Sequence, residues 1–280
     1  MTTSTSILAR DELAGRKGGI WDYVSPSRIN LWLKCPLAFR LRYVEGIWSP
    51  PSPSLFVGRT VHRALEMYYR HRQQNVRLLP AEVLEWLLAQ WDESVAVDGI
   101  RFTTPVAESA ARQQSQGLVQ AYLAQLPVGE PRPLAVETAL EAPLLDPVTG
   151  TSLGVPLVGV IDLVLPGAEG AIITDFKTTS RGGNLPEISH ELQLSCYSYL
   201  FRQTSPLPEE ALEIRNLVKT KVPRVENHRY GPRSQAHYLR LFAVIRAYLD
   251  ALDAGNYYIR PSHLCAACEF SGSRCAQWAG

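Results

Sequence analysis

Between Val155 and Thr178 the chain runs VPLVGVIDLVLPGAEGAIITDFKT. Two arms rich in β-branched residues flank a Pro-Gly-Ala-Glu-Gly turn, the pattern of a β-hairpin. Each arm holds one acid in otherwise apolar company, Asp162 in the first and Asp175 in the second. The two-residue period of a strand puts Lys177 on one face with Asp175 and Ile173, and Thr174 with Phe176 on the other. Elsewhere the period lengthens. Ser25-Pro26-Ser27 supplies a cap and a proline for a helix through Ile29, Trp32 and Leu33. Cys35-Pro36 interrupts it, and a second helical stretch passes through Phe39, Leu41 and Tyr43. The proline- and serine-rich segment 48–54 predicts a loop. From Gly58 the pattern is helical, with His62, Leu65, Glu66 and Tyr69 at i, i+3, i+4 and i+7.

Residues 80–95 and 108–126 predict two more amphipathic helices, with Trp86 and Trp91 as core residues. Strand alternation returns over 134–144, where Val136, Thr138 and Leu140 interleave with Glu137, Ala139 and Glu141. A helix over about 186–203 carries Gln193 and Tyr197 on one stripe. Leu192, Cys196 and Leu200 form the adjoining apolar stripe, which makes Cys196 a small core residue. A strand over 212–218 leads into Lys219, Lys221, Arg224 and Arg229. The last long helix, over 234–253, presents Leu241, Phe242, Ile245, Tyr248, Leu249 and Leu252 and stops at Gly255. Residues 1–20 have the composition of a flexible leader, and there is no internal repeat.

Two carboxylates and a lysine inside apolar strands are costly to bury unless they bind something. A divalent cation between the acids removes that cost, and with the lysine it suits phosphodiester hydrolysis. The plainer alternative is a hairpin with two edge-facing acids and a surface lysine. His62 and Glu66, one turn apart, can both reach such a site, although a lone histidine on this face is more often a hydrogen-bonded core residue. Glu137 is open to the same two readings, approach to the metal or exposure to solvent. The loop from Arg181 to Asn184 is basic and lies beside the hairpin.

Length bounds the rest: 280 residues make one large domain or two ordinary ones. A hydrophobic content of 46% with 20% charged residues describes a soluble globular chain. The net charge of +1 means that any nucleic-acid contact must come from a local basic surface, with Arg181, Lys219, Lys221 and Arg224 as candidates. No run is apolar enough for a signal peptide or a membrane span, so no membrane partner and a cytoplasmic location are expected.

Three of the five cysteines, Cys265, Cys268 and Cys275, fall in the last sixteen residues. In a reducing compartment such crowding favours metal or cluster ligation over disulfides. A fourth thiolate must come from Cys35 or Cys196. Cys196 already has a core role, whereas Cys35 sits at a proline-broken junction. Four thiolates suit either zinc or an iron–sulfur cluster, and spacing does not choose.

Six stretches occur in the order of a known family: Ser25-Pro-Ser-Arg-Ile-Asn with Cys35-Pro36, Gly58-Arg-Thr-Val-His62, Gly159-Val-Ile-Asp162, Asp175-Phe-Lys177, Gln193-Leu-Ser-Cys-Tyr197 and the cysteine triplet. From about residue 25 to its end the chain resembles RecB-type nucleases of the PD-(D/E)XK superfamily. The resemblance is strongest to the iron–sulfur-stapled branch, which includes AddB nuclease domains and CRISPR-associated adaptation exonucleases. It implies an α/β fold, a mixed central sheet flanked by helices, in one nuclease domain over 21–280. That domain would comprise a helical insertion at about 60–130, a catalytic sheet core at 131–230, and a cluster region at 257–280 completed by Cys35. It implies Mg²⁺ or Mn²⁺ on His62, Asp162, Asp175 and the Phe176 carbonyl, and catalysis by Asp162, Asp175 and Lys177 with Gln193 and Tyr197 lining the site. It also implies a [4Fe–4S] cluster on Cys35, Cys265, Cys268 and Cys275. Ile161 stands where the motif's name has a proline, as in many members of this branch.

The expected activity is a metal-dependent DNA exonuclease acting on single-stranded ends in repair or recombination. Two alternatives are trimming of DNA for CRISPR spacer acquisition and a DNA-end scaffold working with a helicase. The chain has no P-loop, so it acts alone or borrows a helicase or recombination partner in trans.

Overall fold

The computed structural model describes residues 7–8, 19–183 and 187–277. Among these a six-stranded sheet runs in sequence order: β1 (Ile7–Leu8), β2 (Ala135–Leu145), β3 (Ser152–Pro166), β4 (Ala171–Thr179), β5 (Glu209–Val218) and β6 (Arg224–Tyr230). All neighbours are antiparallel except β4 and β5, which are parallel. A parallel pair needs a crossover. It is made here through α7 (Glu191–Thr204), the helix carrying Gln193 and Tyr197.

The other α-helices among the described residues are α1 (Pro26–Lys34), α2 (Pro36–Phe39), α3 (Pro53–Gln73), α4 (Pro80–Ala89), α5 (Trp91–Asp98), α6 (Pro105–Ala124), α8 (Gln235–Asp253) and the short α9 (Arg274–Gln277). The sheet separates two cores. On one face α1, α7 and α8 pack Ile29, Leu200, Phe242 and Tyr248 against Leu157, Ile161 and Ile173. On the other, α3 to α6 pack Val61, Leu65, Trp91 and Leu118 against Val136, Leu163 and Phe176. A third, small cluster of Leu37, Ala38, Leu41 and Phe270 lies apart from both, with Cys35, Cys268 and Cys275 against it.

Caps explain most boundaries. The Ser25 and Ser52 hydroxyls accept the Arg28 and Leu55 N–H groups, and proline occupies the first turn of α1 and of α3. Thus α3 begins at Pro53, five residues before the helical pattern is evident. The helix expected over 80–95 is two, broken at Gln90, so that Trp91 turns inward. Its ring packs 5.2 Å from Phe56, and its Nε1 donates to Glu108 at 2.9 Å. Strand β6 was not foreseen. Its sequence, RVENHRY, is polar because it is an edge, and charge on an edge blunts unwanted pairing. Within the expected leader Ile7–Leu8 pairs with Leu140 and Ala139, while residues 1–6 and 9–18 lie outside the described residues, as does the expected start of the 186–203 helix at Pro186.

A buried polar network ties the helical layer to the sheet. Arg215 of β5 donates to the Tyr69 and Tyr122 hydroxyls at 2.9 and 2.6 Å, to Glu213 at 2.9 Å, and to Glu130. The two tyrosine rings pack on Phe176, 6.0 and 5.6 Å away, and so fix the strand segment that bears the expected site.

Candidate active site and cysteine cluster

The hairpin is paired only near its turn. Leu163 faces Thr174 and the register runs to Pro166 and Ala171, but beyond Leu163 the two strands part. From there β4 pairs with β5 alone, and β3 with β2 and, at Leu157, with the backbone of Val24. The next facing residues in that register would be Asp162 and Asp175, so both acids sit at the opening. Asp162 answers the lost ladder bond itself, its Oδ2 accepting the Phe176 N–H at 2.8 Å.

Asp175 is 2% exposed and is held from two sides. The Lys177 ammonium lies 2.6 Å from its Oδ2, and Gln193 Nε2 donates to its Oδ1 at 2.8 Å. Gln193 Oε1 accepts from Lys177 at 2.9 Å, and its amide also donates to the Tyr197 hydroxyl at 2.8 Å. The i, i+4 stripe on α7 therefore fastens both catalytic candidates of β4. Cys196 turns into the core, where burial pushes its thiol well above the ordinary range.

His62 reaches the opening from α3, its Nδ1 3.7 Å from Asp162 Oδ2 and its ring edge-on to Phe176. This approach needs Gly58: a Cβ there would lie 2.6 Å from the Thr178 hydroxyl. On the other face a Cβ on Gly159 would lie 2.8 Å from Leu200, so α7 is pressed against β3 in the same way. Glu137 is buried, with a φ of 43°, an unusual backbone for a residue with a side chain. Its carboxylate, His62 and Asp162 offer ligand atoms all within 4.8 Å of one another. Of the two sequence readings of Glu137, the structure places it at the site. The signal was the one that marked Asp162, an acid in an apolar alternating strand.

The electrostatics carry the same message. Burial, then the nearby Asp175 charge, raise the Asp162 carboxyl above its ordinary pKa, against the pull of His62, Lys177 and the Phe176 N–H. Burial works against the Lys177 ammonium, but Asp175 and Asp162 more than compensate and hold its pKa above the usual value. Tyr197 is kept neutral by burial and by the two aspartates. Sequence reasoning passed over His190, whose pKa is lowered by burial and then by the Lys177 charge. Cavities open on both sides of His62. One of about 460 Å³ is lined by Ser25, Ser27, Asn30, Glu137 and Tyr197, and one of about 530 Å³ by Leu55, Arg59, Arg63 and Lys177.

The basic candidates are not gathered here. Lys219 Nζ donates to the Ser54 hydroxyl at 2.7 Å and to its carbonyl at 3.2 Å, so it secures the start of α3. Arg224 pairs with Glu226 at 3.3 Å on the edge strand. Arg181 and Lys221 are exposed, and none of the four lines either cavity. Arg59 and Arg63, which do, were not singled out from the sequence.

Cys35, Cys265, Cys268 and Cys275 line one pocket of about 50 Å³ and form no disulfide. Burial, then the charges of the other three cysteines, raise the Cys275 thiol, which marks their mutual proximity. Among the described residues no three of these sulfurs come within 4.8 Å of one another. Tetrahedral zinc, with bonds of about 2.3 Å, needs its sulfurs about 4 Å apart.

Residues 23–275 match the family model of the PD-(D/E)XK nuclease superfamily, and the chain belongs to that superfamily. Its fold is that of a crystal structure from Eubacterium rectale titled "Putative exonuclease". That match has a TM-score of 0.60 and 13% identity, and covers 94% of this chain and 93% of that one. The crystal structure of SSO0001 is more distant, at TM-score 0.45 and 14% identity over 94% of this chain and 89% of that one. A search of curated protein sequences finds no match.

Proposed function

We propose that the protein is a metal-dependent deoxyribonuclease that degrades DNA from single-stranded ends, in repair or recombination. One observation carries this reading: the sheet opens where Asp162 and Asp175 would pair, and His62, Glu137 and Lys177 converge on the opening. The donor set of one imidazole and crowded carboxylates fits Mg²⁺ or Mn²⁺, since Asp162 and Asp175 repel without a cation between them. His62, Glu137 and Asp162 hold the ion, with Asp175 and the Phe176 carbonyl contributing as the family pattern implies. Such an ion, when bound, supplies positive charge to the scissile phosphate and lowers the pKa of water.

The chain's own groups do the rest. Lys177 stays protonated at neutral pH and stabilises the charge that develops on the phosphate. Gln193 keeps Lys177 and Asp175 at fixed separation, and Tyr197 fixes the orientation of its amide. Cys35, Cys265, Cys268 and Cys275 hold a [4Fe–4S] cluster in the reducing cytoplasm, joining the chain's two ends. A helicase or recombination partner would supply unwound strands.

The test is incubation with end-labelled linear single strands, duplexes and covalently closed single-stranded circles, in Mg²⁺, Mn²⁺ or chelator. Linear single strands should be consumed fastest, circles should survive, and chelator should stop the reaction. Circles cut as fast as linear strands would make the enzyme an endonuclease.

A further inference from the structure

The cavity beside Lys177 does not end there. Leu55 and Arg59 are shared with a second groove of about 330 Å³, which runs along the first turns of α3. Its far side is formed by the 48–52 loop, by Lys34 and Arg42, and by Cys268, Glu269 and Phe270 of the cysteine lobe. Ser52 caps α3 ten residues before His62, about 15 Å along the helix axis. The groove is thus a short continuation of the active site.

Trp48 stands in this groove at 65% exposure, more than any other tryptophan or tyrosine among the described residues. It is exposed but braced. The Arg42 guanidinium lies 5.0 Å from its ring centroid, and Tyr43 meets it edge-on at 5.9 Å. Arg42 is in turn ion-paired with Glu269. Pro50 and Pro51 stiffen the loop that follows. An indole fixed by its neighbours and presented to water forgoes the gain of burial, as a residue does when it awaits a partner. The acids nearby are already answered, Glu269 by Arg42 and Asp98 by Arg59 and Arg63 at 3.5 and 3.2 Å. Two arginines against the single Asp98 leave one positive charge over, and Lys34 adds a second, so the groove is positive.

A positive track with a flat aromatic surface is how proteins hold single-stranded nucleic acid, because unpaired bases offer a π-face and duplex bases do not. We propose that this groove carries the single strand to the scissile position. Trp48 stacks a base, and Arg59 contacts a backbone phosphate. The assignment rests on the nuclease reading of the neighbouring site and names how its substrate is held.

The test compares wild type with Trp48→Ala, Trp48→Phe and Arg59→Ala, using a fluorescent oligothymidylate in chelator so that nothing is cut. Trp48→Ala should weaken binding about 5- to 150-fold, the size of one base–aromatic stack, with the salt slope unchanged. Trp48→Phe should recover part of the loss. Arg59→Ala should instead flatten the salt slope by about 0.7, as expected for one phosphate contact on a single strand. In Mg²⁺, Trp48→Ala should raise KM for the same oligonucleotide and leave kcat within about twofold. Wild type should lose the advantage on an oligonucleotide made abasic throughout. Equal affinities of wild type and Trp48→Ala, or a protein partner that needs Trp48 while DNA does not, would overturn the platform and leave the nuclease reading standing. A wild-type protein that neither binds nor cuts single strands would overturn both.

Discussion

The molecule gathers side chains of metal-ligand type in two places, and the fold stands in opposite relation to them. The acidic site lies between two large cores, and its side chains arrive from α3, β2, β3, β4 and α7. Asp175, Lys177, Gln193 and Tyr197 are already locked together by short hydrogen bonds. The cysteine lobe has four buried residues beneath it, and along 263–277 only Phe270 is buried. A core that small cannot offset the entropy of ordering its chain. The fold therefore holds the acids in place at a cost to itself, whereas on the proposed reading the thiols would hold the fold only through the group they bind. Activity should be lost at the first site without loss of structure, and structure lost at the second.

The largest effect expected is on chemistry. Asp175→Asn should abolish cleavage, by about 10²-fold or more, since it removes charge from the reacting centre. Its melting temperature should fall by only a few degrees, because the carboxamide oxygen still accepts from Gln193 and the Lys177 ammonium keeps the Asp162 charge beside it. Near wild-type rates in a preparation free of contaminating nuclease would refute the site. The next largest effect is on stability. A centre joining Cys35 to Cys265 closes a loop of 230 positions. By analogy with a disulfide, that is worth on the order of 4–5 kcal/mol. Cys35→Ser should lose the brown chromophore and about 10 °C of melting temperature. Cys196→Ser should keep its iron, because Cys196 lies in the α7 core. Iron content equal to wild type in Cys35→Ser would remove the staple.

How much of this was legible beforehand follows the same division. The hairpin, its two acids and the α7 stripe announce themselves because period and polarity conflict there: charged residues sit where the strand pattern asks for apolar ones. Glu137 carried that conflict too. Its destination depended on the register that sets it opposite Asp162, and on a left-handed backbone no pattern reveals. Strand β6 was hidden because an edge strand looks like a charged loop. The basic residues misled for a related reason. Charge shows in sequence, but the partner that occupies it, Ser54 for Lys219 or Glu226 for Arg224, does not. Arg59 and Trp48 were legible as residues but not as neighbours of the site.

A smaller effect should appear at Glu137. Its carboxylate shares the ligand positions of His62 and Asp162, so Glu137→Gln should raise the Mg²⁺ needed for half-maximal cleavage about tenfold or more. The fold should be intact, and excess metal should restore part of the rate. An unchanged metal requirement would return Glu137 to a structural role.

The smallest effect is the one that separates the two regions most directly, because it asks whether an active-site acid burdens the fold. In the metal-free protein the Asp162 pKa is raised, first by burial and then by Asp175. The unfolded value is about 3.9, so folding opposes ionisation of this group. A carboxyl with a raised folded pKa destabilises the native state once it ionises. That penalty is complete above the folded pKa, shrinks as pH falls through it, and is gone below about 4. The carboxamide introduced by Asp162→Asn would keep an oxygen for the Phe176 N–H but carry no charge. In chelator, Asp162→Asn should therefore melt above wild type at pH 7, and the gap should close as the solution is acidified toward pH 4. Added Mg²⁺ should stabilise wild type and leave the variant nearly unchanged, since only a native state that binds the ion gains from it. A variant that melts below wild type at pH 7 in chelator would show that Asp162 supports the fold, and the contrast between the two sites would fail there.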